Sequence, residues 1–319
     1  MQIYKKIVLS HEIYRFNRSR FKNMLRPAHL QPGDKVALVS PAGYIDQQYI
    51  DQAKQLLESW ELIPVIGKHA AGRHNSFSGS DDERVADIQW AMDAEEIRAI
   101  FCNRGGYGTL RIVERLDYSV FQGNPKWIIG FSDITVLHTK ITSLGIESMH
   151  AAMPKSFPDT DAEAIRRLKN FLFGRITPYI IPPHPFNREG IVRADLVGGN
   201  LCLLHCLRSS VVEYDHKNTI MFIEDVGENL YAIDRMMQTF KLTGRLEDLQ
   251  GLIVGGFSDM KGENFGQTAY EIIREAIEDY SYPVCFGFPA GHIPNNYPLI
   301  LGANIELSVD GKGSDIAFL

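Results

Sequence analysis

Short apolar runs alternate with amphipathic segments along the first half of the chain, and this alternation predicts an α/β fold. Apolar runs of about four to eight residues are typical of buried strands, whereas apolar residues spaced three or four apart are typical of helices. The predicted strands are 35–39, 62–66, 99–103 and 127–129, and the predicted helices are 46–60, 80–92, 109–116 and one that begins after Ser132. Because strands that alternate with helices form parallel sheets with right-handed crossovers, we expect a parallel sheet here.

A proline-rich stretch at residues 154–193, with one predicted helix at 162–173, separates this half from a second one. Such composition is typical of a linker between domains. The second half has predicted helices at 201–207, 230–242 and 269–280, and predicted strands at 195–197, 219–223, 252–254, 284–288 and within 299–319. We therefore expect an N-terminal domain at 24–153, a linker at 154–193 and a C-terminal domain at 194–319.

The first 23 residues differ from the rest because they are rich in lysine and arginine and contain only short apolar pieces. A secretory signal peptide needs about 7–15 continuous apolar residues and a cleavage site of small residues. Residues 1–23 have neither, so we expect a weakly ordered N-terminal extension. Met24 directly precedes the predicted domain and is an alternative initiator.

Composition excludes several classes of function. The net charge is −6 and the main part of the chain has no dense basic block, so nucleic acid and membrane surfaces are not expected partners. No apolar window reaches the roughly 18 residues of a membrane-spanning helix. The four cysteines contain no C-x-x-C pair, which favours core packing over a metal site and fits a reducing, cytoplasmic compartment. We expect no metal and no cofactor.

The segment around Ser132 has the pattern of a nucleophile elbow. A buried strand (127–129) meets Gly130, and a helical pattern begins just after Ser132. A serine at a sharp turn from strand to helix exposes its hydroxyl at the sheet edge, beside backbone N–H groups and the positive end of the helix. Serine is also a preferred helix N-cap, and Ile134 stands where the usual elbow pattern has glycine. Both interpretations stay open on this segment alone.

A glycine-rich loop at residues 104–108 follows the third predicted strand. The loop lacks the third glycine of the dinucleotide-binding pattern, and no Gly-Lys-Ser/Thr follows it as in a P-loop. Glycine also allows a backbone to approach a reacting carbonyl closely, because it has no Cβ. A plain tight turn remains the alternative.

Three polar residues at strand ends or in glycine-framed loops form a candidate catalytic set, namely Ser132, Glu224 and His292. A serine hydroxyl needs a base near neutral pH, and imidazole has a suitable pKa. A carboxylate then accepts the other N–H of the imidazole. Asp225 or Glu228 serves equally well in that role, and spacing alone does not select among the ten histidines.

The chain resembles the serine LD-carboxypeptidase family, the muramoyl-tetrapeptide carboxypeptidases, which also includes the microcin-C immunity peptidases. The resemblance spans about residues 24–319. It rests on residues 40–43 (Ser-Pro-Ala-Gly), 82–84 (Asp-Glu-Arg), 104–108 (Arg-Gly-Gly-Tyr-Gly), 130–135 (Gly-Phe-Ser-Asp-Ile-Thr), 198–201 (Gly-Gly-Asn-Leu), 223–228 (Ile-Glu-Asp-Val-Gly-Glu) and 291–292 (Gly-His).

The resemblance implies a Rossmann-like N-terminal domain with the nucleophile and a C-terminal α/β domain with a small β-barrel-like core. Ser132 is then the nucleophile, His292 the general base and Glu224 its orienting carboxylate. The backbone N–H groups of Asp133 and Gly106 form the oxyanion hole. The implied reaction is metal-independent hydrolysis of the L,D bond before the terminal D-alanine of murein tetrapeptides, by a cytoplasmic homodimer that recycles peptidoglycan.

Two other functions stay open. The microcin-type members hydrolyse acyl- or peptidyl-adenylates and use a tryptophan in the interdomain loop to stack a nucleobase. The tryptophans here are Trp60, Trp90 and Trp127, all outside residues 154–193, which favours the peptidoglycan substrate. Residues 150–153 read His-Ala-Ala-Met where the family often has His-Gly-Pro-Met. A catalytically silent binding protein with the same fold is the third possibility.

Overall fold

The computed structural model describes residues 24–319, so the predicted N-terminal extension lies outside the described residues. The strands are β1 Lys35–Val39, β2 Ile63–Ile66, β3 Ile97–Cys102, β4 Trp127–Gly130, β5 Ser148–His150, β6 Tyr179–Ile181, β7 Gly190–Asn200, β8 Thr219–Val226, β9 Gly251–Ser258, β10 Val284–Phe286, β11 Leu299–Leu301, β12 Asn304–Asp310 and β13 Gly313–Phe318. The α-helices are α1 Gln47–Glu58, α2 Asp81–Asp93, α3 Ser119–Gly123, α4 Thr135–Ser143, α5 Ala162–Leu172, α6 Leu201–Cys206, α7 Leu230–Leu242 and α8 Ala269–Ala276. None of the helices within residues 24–319 is long and apolar enough to cross a membrane.

The first sheet has six strands in the order β11-β5-β4-β3-β1-β2. The five strands β1 to β5 run parallel, as the alternation of strands and helices predicts. Strand β11 comes from the far end of the chain and pairs antiparallel with β5. The carboxyl ends of the parallel strands meet at one edge, which is where α/β sheets place their sites.

Both faces of the first sheet are covered. Along β1, Val36 and Leu38 enter one hydrophobic core, and Ala37 and Val39 enter another, because successive side chains of a strand point to opposite faces. Helices α1 and α5 pack on the first of these faces, and helices α2 and α4 pack on the second. The near-continuous apolar run of the strand follows from this double burial.

The second sheet has seven strands in the order β10-β9-β8-β7-β12-β13-β6. Strands β7 to β10 are parallel, and β12, β13 and β6 continue the sheet antiparallel. The predicted α/β fold with two domains is confirmed. The predicted barrel-like core takes the form of an open sheet, because the strand order is linear and ends at β10 and β6. An isolated bridge joins Val284 of β10 to Arg188, which lies between β6 and β7.

The two sheets share a core and meet next to Ser132. One hydrophobic cluster contains Leu38 and Phe101 of the first sheet together with Phe222 and Ile253 of the second. Close to the elbow, the backbone N–H of Asn200 donates to Thr135 Oγ1 at 3.0 Å. Gly199 permits this approach, because a Cβ there would lie 2.6 Å from the same oxygen.

Several elements differ from the expectations. Residues 109–116 form two 3-10 turns, Thr109–Arg111 and Val113–Arg115, in place of the predicted helix. Besides the helix predicted at 162–173, which is α5, the predicted linker contains β6 and the start of β7. Residues 299–301 complete the first sheet rather than the second. The boundaries 24–153, 154–193 and 194–319 stay predictions.

Candidate active site

Ser132 lies at the carboxyl end of β4 with a φ of 63°, a left-handed conformation that non-glycine residues rarely adopt. A 3-10 turn, Ser132–Ile134, leads directly into α4. Ile134 stands where the usual elbow pattern has glycine. Gly130 leaves room for its side chain, since a Cβ at Gly130 would lie 2.9 Å from Ile134 Cγ1. A strained backbone of this kind is common at functional sites. The strand, turn and helix therefore have the geometry of a nucleophile elbow.

The side chains of Ser132, His292 and Glu224 form one chain of hydrogen bonds. His292 Nδ1 lies 2.7 Å from Glu224 Oε2, and His292 Nε2 lies 3.0 Å from Ser132 Oγ. A carboxylate only accepts, so Nδ1–H donates to Glu224 and Nε2 is left to accept the proton of the serine hydroxyl. The side chain of His292 retains 20% exposure whereas that of Glu224 has 0%. A bound molecule therefore reaches the imidazole but not the carboxylate.

Strand geometry selects Glu224 over its neighbour Asp225. Successive residues of β8 point to opposite faces of the sheet, so only one of the two can face His292. The carboxylate of Asp225 instead accepts hydrogen bonds from Asn200 Nδ2 and from the backbone N–H of Cys202, both at 2.9 Å. Burial, with the charge of Glu224, raises the pKa of Asp225 to about 7.

The loop that carries His292 is fixed by contacts that the sequence did not indicate. Asn296 Oδ1 accepts from the backbone N–H of Gly291 at 2.9 Å, and Ser258 Oγ donates to the backbone carbonyl of His292 at 2.9 Å. Gly291 has a φ of 120°, and a Cβ there would lie 2.8 Å from the Cβ of Glu224. The pair Gly-His was the only sequence signal for this loop.

The surroundings of His292 change the pKa of its imidazole. Burial acts to lower the pKa of His292, but the charge of Glu224 and the hydrogen bond to it act in the opposite direction and dominate. The pKa of His292 is raised above its ordinary value of 6.5. A base of this strength takes a proton from serine more readily than an isolated imidazole does.

The glycine-rich loop lies directly against the elbow. A Cβ on Gly105 would lie 2.9 Å from Ser132 Cβ and 3.1 Å from its Oγ, so only glycine fits there. Gly106 has a φ of 96°, which also favours glycine. The carboxylate of Asp133 accepts from the backbone N–H of Thr109 at 2.8 Å and joins the elbow to the loop. The predicted oxyanion residues, Asp133 and Gly106, thus belong to two segments that are in contact beside Ser132.

The cysteines take no part in the hydrogen-bonded chain of Ser132, His292 and Glu224. All four are free thiols, with Cys102 and Cys285 buried, Cys202 half-buried and Cys206 exposed. In the part of the chain that the structure describes, no group of three or more histidine, cysteine, aspartate or glutamate residues is placed to hold a metal ion.

Comparison with known protein families identifies the family of this chain. Two family models, described as the N-terminal and C-terminal domains of LD-carboxypeptidases, match residues 36–151 and 193–307. The chain belongs to the LD-carboxypeptidase family. Both models together span the elbow, the glycine loop, Glu224 and His292. The predicted family and the predicted class of enzyme, a carboxypeptidase, are confirmed.

Curated relatives cover nearly the whole chain. A protein of Bacillus subtilis named "Probable murein peptide carboxypeptidase" is 30% identical over 305 residues, which cover 90% of this chain and 92% of that protein. The murein tetrapeptide carboxypeptidase of Pseudomonas aeruginosa is 27% identical over 278 residues, covering 83% of this chain and 91% of that protein.

Solved structures have the same fold. The muramoyltetrapeptide carboxypeptidase from Oxalobacter formigenes superposes with a TM-score of 0.82 at 24% identity, covering 89% of this chain and 98% of that one. The microcin C7 self-immunity protein MccF superposes with a TM-score of 0.83 at 20% identity, covering 92% of this chain and 98% of that one. At these identities the likeness establishes the fold alone.

Proposed function

We propose that this LD-carboxypeptidase is a serine peptidase that hydrolyses the bond before the terminal D-alanine of murein tetrapeptides. The observation that carries the proposal is the hydrogen-bonded chain from Ser132 through His292 to Glu224, with distances of 3.0 and 2.7 Å. Its serine lies on a strained elbow, its imidazole is accessible and its carboxylate is buried. A nucleophile, a base and an orienting group in this order define a catalytic triad.

The mechanism follows from the positions of these groups. Ser132 Oγ attacks the scissile carbonyl as His292 Nε2 takes its proton, and Glu224 stabilises the imidazolium that forms. The backbone N–H groups of Asp133 and Gly106 are the proposed donors to the negative oxygen of the tetrahedral intermediate. His292 then returns the proton to the amine of D-alanine, which leaves an acyl-enzyme. Water attacks that ester with His292 as base and regenerates Ser132.

The family and its relatives support a peptide from peptidoglycan as the substrate. Relatives that are named for murein peptides match more than four fifths of the chain. The MccF structure shares the fold at 20% identity, and the three tryptophans lie outside 154–193, so the adenylate substrate has less support. A homodimer and a cytoplasmic location, in the recycling of peptidoglycan, stay part of the proposal.

Recognition of a free terminal carboxylate is the second part of the proposal. The Ser40 hydroxyl already donates to Ala70 O at 2.6 Å, and the Gly43 N–H donates to Gly105 O at 3.0 Å. Arg104 uses one N–H for Tyr44 O, and a guanidinium carries five such donors. We therefore propose Arg104, the first residue of the glycine-rich loop, as the carboxylate partner, since arginine binds carboxylates with charge-assisted hydrogen bonds.

The decisive measurement is kcat/KM for a murein tetrapeptide, its C-terminal amide and its epimer with terminal L-alanine. We expect release of D-alanine from the first, and losses of up to about 10⁴ for the analogues whose hydrogen bonds go unmade. The Ser132→Ala variant serves as the blank for contaminating hydrolases. Equal rates for acid and amide would contradict carboxylate recognition. Hydrolysis of an aminoacyl-sulfamoyl adenosine in preference to the tetrapeptide would favour the adenylate function instead.

A further inference from the structure

Arg84 is a fully buried cation that joins two loops around the site. It lies in the first turn of α2, and its Nη1 donates to the backbone carbonyls of Pro41 at 2.6 Å and Gly108 at 2.9 Å. Its Nη2 forms an ion pair with Asp81. The side chain has 0% exposure, so the guanidinium has exchanged its water for these oxygens.

The position of this cation is unfavourable for the helix itself. The N-terminal end of a helix carries a partial positive charge, which disfavours a cation in the first turn. Burial of the charge adds a desolvation cost that only well-placed partners offset. Asp81 supplies one such partner, and the two carbonyls supply the others. The arrangement therefore costs stability. Its structural effect is that two loops are held at a fixed distance from each other.

One of those two loops packs against Ser132 through Gly105. The first contains Pro41 and Gly43, and the second is the glycine-rich loop 104–108. The Gly43 N–H donates to Gly105 O at 3.0 Å, so the loops are also bonded to each other. Gly108 has a φ of 143°, and a Cβ there would lie 2.6 Å from Arg84 Nη1. Glycine at 108 is thus required for the guanidinium to reach the carbonyl.

We propose that Arg84 is a positioning residue that holds the glycine-rich loop at the distance from Ser132 that oxyanion stabilisation requires. Gly105 packs against Ser132, and Gly106, the proposed oxyanion donor, lies two residues before the carbonyl that Arg84 binds. A preorganised donor loses its effect when it moves by a fraction of an ångström. The inference rests on the proposed function, because it assigns Arg84 a part in that same reaction.

The same helix offers a matched control at its other end. Lys126 is buried, and its Nζ donates to the carbonyls of Ala91 and Met92 at 3.0 and 2.8 Å. These carbonyls end α2 far from the elbow, at the amino end of the sheet. Lys126→Met and Arg84→Met therefore each remove a buried cation that holds backbone carbonyls in the same domain. Both variants lose stability, whereas only Arg84→Met alters the loop beside Ser132.

The experiment compares kcat and KM of the two variants and their rates of labelling by a fluorophosphonate. The phosphoryl oxygen of the probe occupies the position of the oxyanion, so the labelling rate reports on the loop without a peptide substrate. For Arg84→Met we expect kcat and the labelling rate to fall about 10- to 100-fold, below the roughly 10²–10³ of a lost oxyanion donor. KM should change less than about threefold, because the loop acts on the transition state.

Arg84→Lys is the second variant. It keeps the charge, but an ammonium lacks the planar fork that holds two carbonyls and Asp81 together. We expect an intermediate loss of kcat at unchanged KM, and this variant decides the question if Arg84→Met does not fold. Arg84 variants that label and turn over as fast as Lys126→Met would overturn the proposal. If the fluorophosphonate labels the wild type but the wild type does not hydrolyse murein peptides, the proposed substrate is wrong. The labelling rates of the variants then still test the role of Arg84.

Discussion

The two sides of the candidate site are built in different ways. On the nucleophile side the backbone makes the geometry, since Ser132 has a φ of 63° and Gly105 lies against it without room for a Cβ. On the other side side-chain hydrogen bonds make it, since His292 and Glu224 are 68 positions apart and bonded at 2.7 Å. Asn296 and Ser258 then hold the histidine loop in place.

This difference has consequences for mutation. A backbone conformation tolerates no added atom at a tight contact, because the whole loop has to move. A side-chain hydrogen bond tolerates replacement by a similar group, and the loss then depends on which atom donates. The nucleophile side should therefore be sensitive to a single methyl group, and the acid–base side to the chemistry of one atom.

The largest effect is expected for Ser132→Ala, which removes the reacting oxygen and leaves the elbow in place. Turnover should fall by roughly 10³–10⁶, since loss of a nucleophile removes the function of the whole triad. The melting temperature should stay close to that of the wild type, because Ser132 Oγ bonds only to His292 among the described residues. Retention of more than about a tenth of the turnover in pure protein would refute the nucleophile.

Glu224→Gln tests the acid–base side. The amide can donate to His292 Nδ1, which would leave Nε2 protonated and unable to accept from Ser132. We expect turnover to fall by roughly 10²–10⁴, as when the carboxylate of a triad is replaced. Glu147→Gln is the matched control, since Glu147 is a buried carboxylate bonded to Arg26 away from the site. A similar loss in both variants would show that buried charge rather than tautomer matters.

Gly105→Ala tests the nucleophile side without changing any polar group. The new methyl would lie 2.9 Å from Ser132 Cβ, so the loop must shift and weaken the oxyanion hole. A fall in kcat of about 10²–10³ is expected, the loss typical of one oxyanion donor. Gly123→Ala is the control, because a Cβ there has nothing within 4 Å. Equal turnover of the two variants would contradict the expectation that the nucleophile side is sensitive to a single methyl group.

The smallest effect is a displacement of the pH profile. His292 must be neutral to accept a proton, and Glu224 raises its pKa above 6.5, so kcat/KM should fall as the pH falls through that raised value. In Glu224→Gln burial loses its main opponent and only the charges of Asp225 and Asp259 still raise the pKa of His292, so the residual activity should persist to lower pH. The pKa of His138 is lowered to about 4 by burial, so it titrates well below this limb.

Asp225 is a second group that titrates near neutral pH, because its pKa is raised to about 7. Its carboxylate faces Asn200 and not His292. The acid limb should therefore remain in Asp225→Asn and move in Glu224→Gln. A limb that disappears in Asp225→Asn would assign the titration to that residue.

Prediction from the sequence succeeded where local chemistry determines structure. Residues 80–83 (Ser-Asp-Asp-Glu) have the pattern of a capping box, and Ser80 Oγ accepts from the Glu83 N–H at the start of α2. Strand β1 has the predicted bounds, because its apolar run is buried on both faces. The predictions failed at 109–116 and missed β5 and β6, which are three-residue strands. Such short strands exist only because a neighbouring strand supplies their hydrogen bonds.

The chain by itself determined the turn from strand to helix at Ser132, since glycine, serine and the following apolar spacing are contiguous, and it left the elbow and the N-cap as alternatives. It also determined the glycine-rich loop, whose residues allow a close approach that other residues forbid. Only the tertiary structure decided that Glu224 rather than Asp225 meets His292, because the face of β8 that lies toward Ser132 depends on how the two sheets pack. It also brought Arg84 under both loops, since hydrogen bonds between residues 24 and 43 positions apart have no local signature.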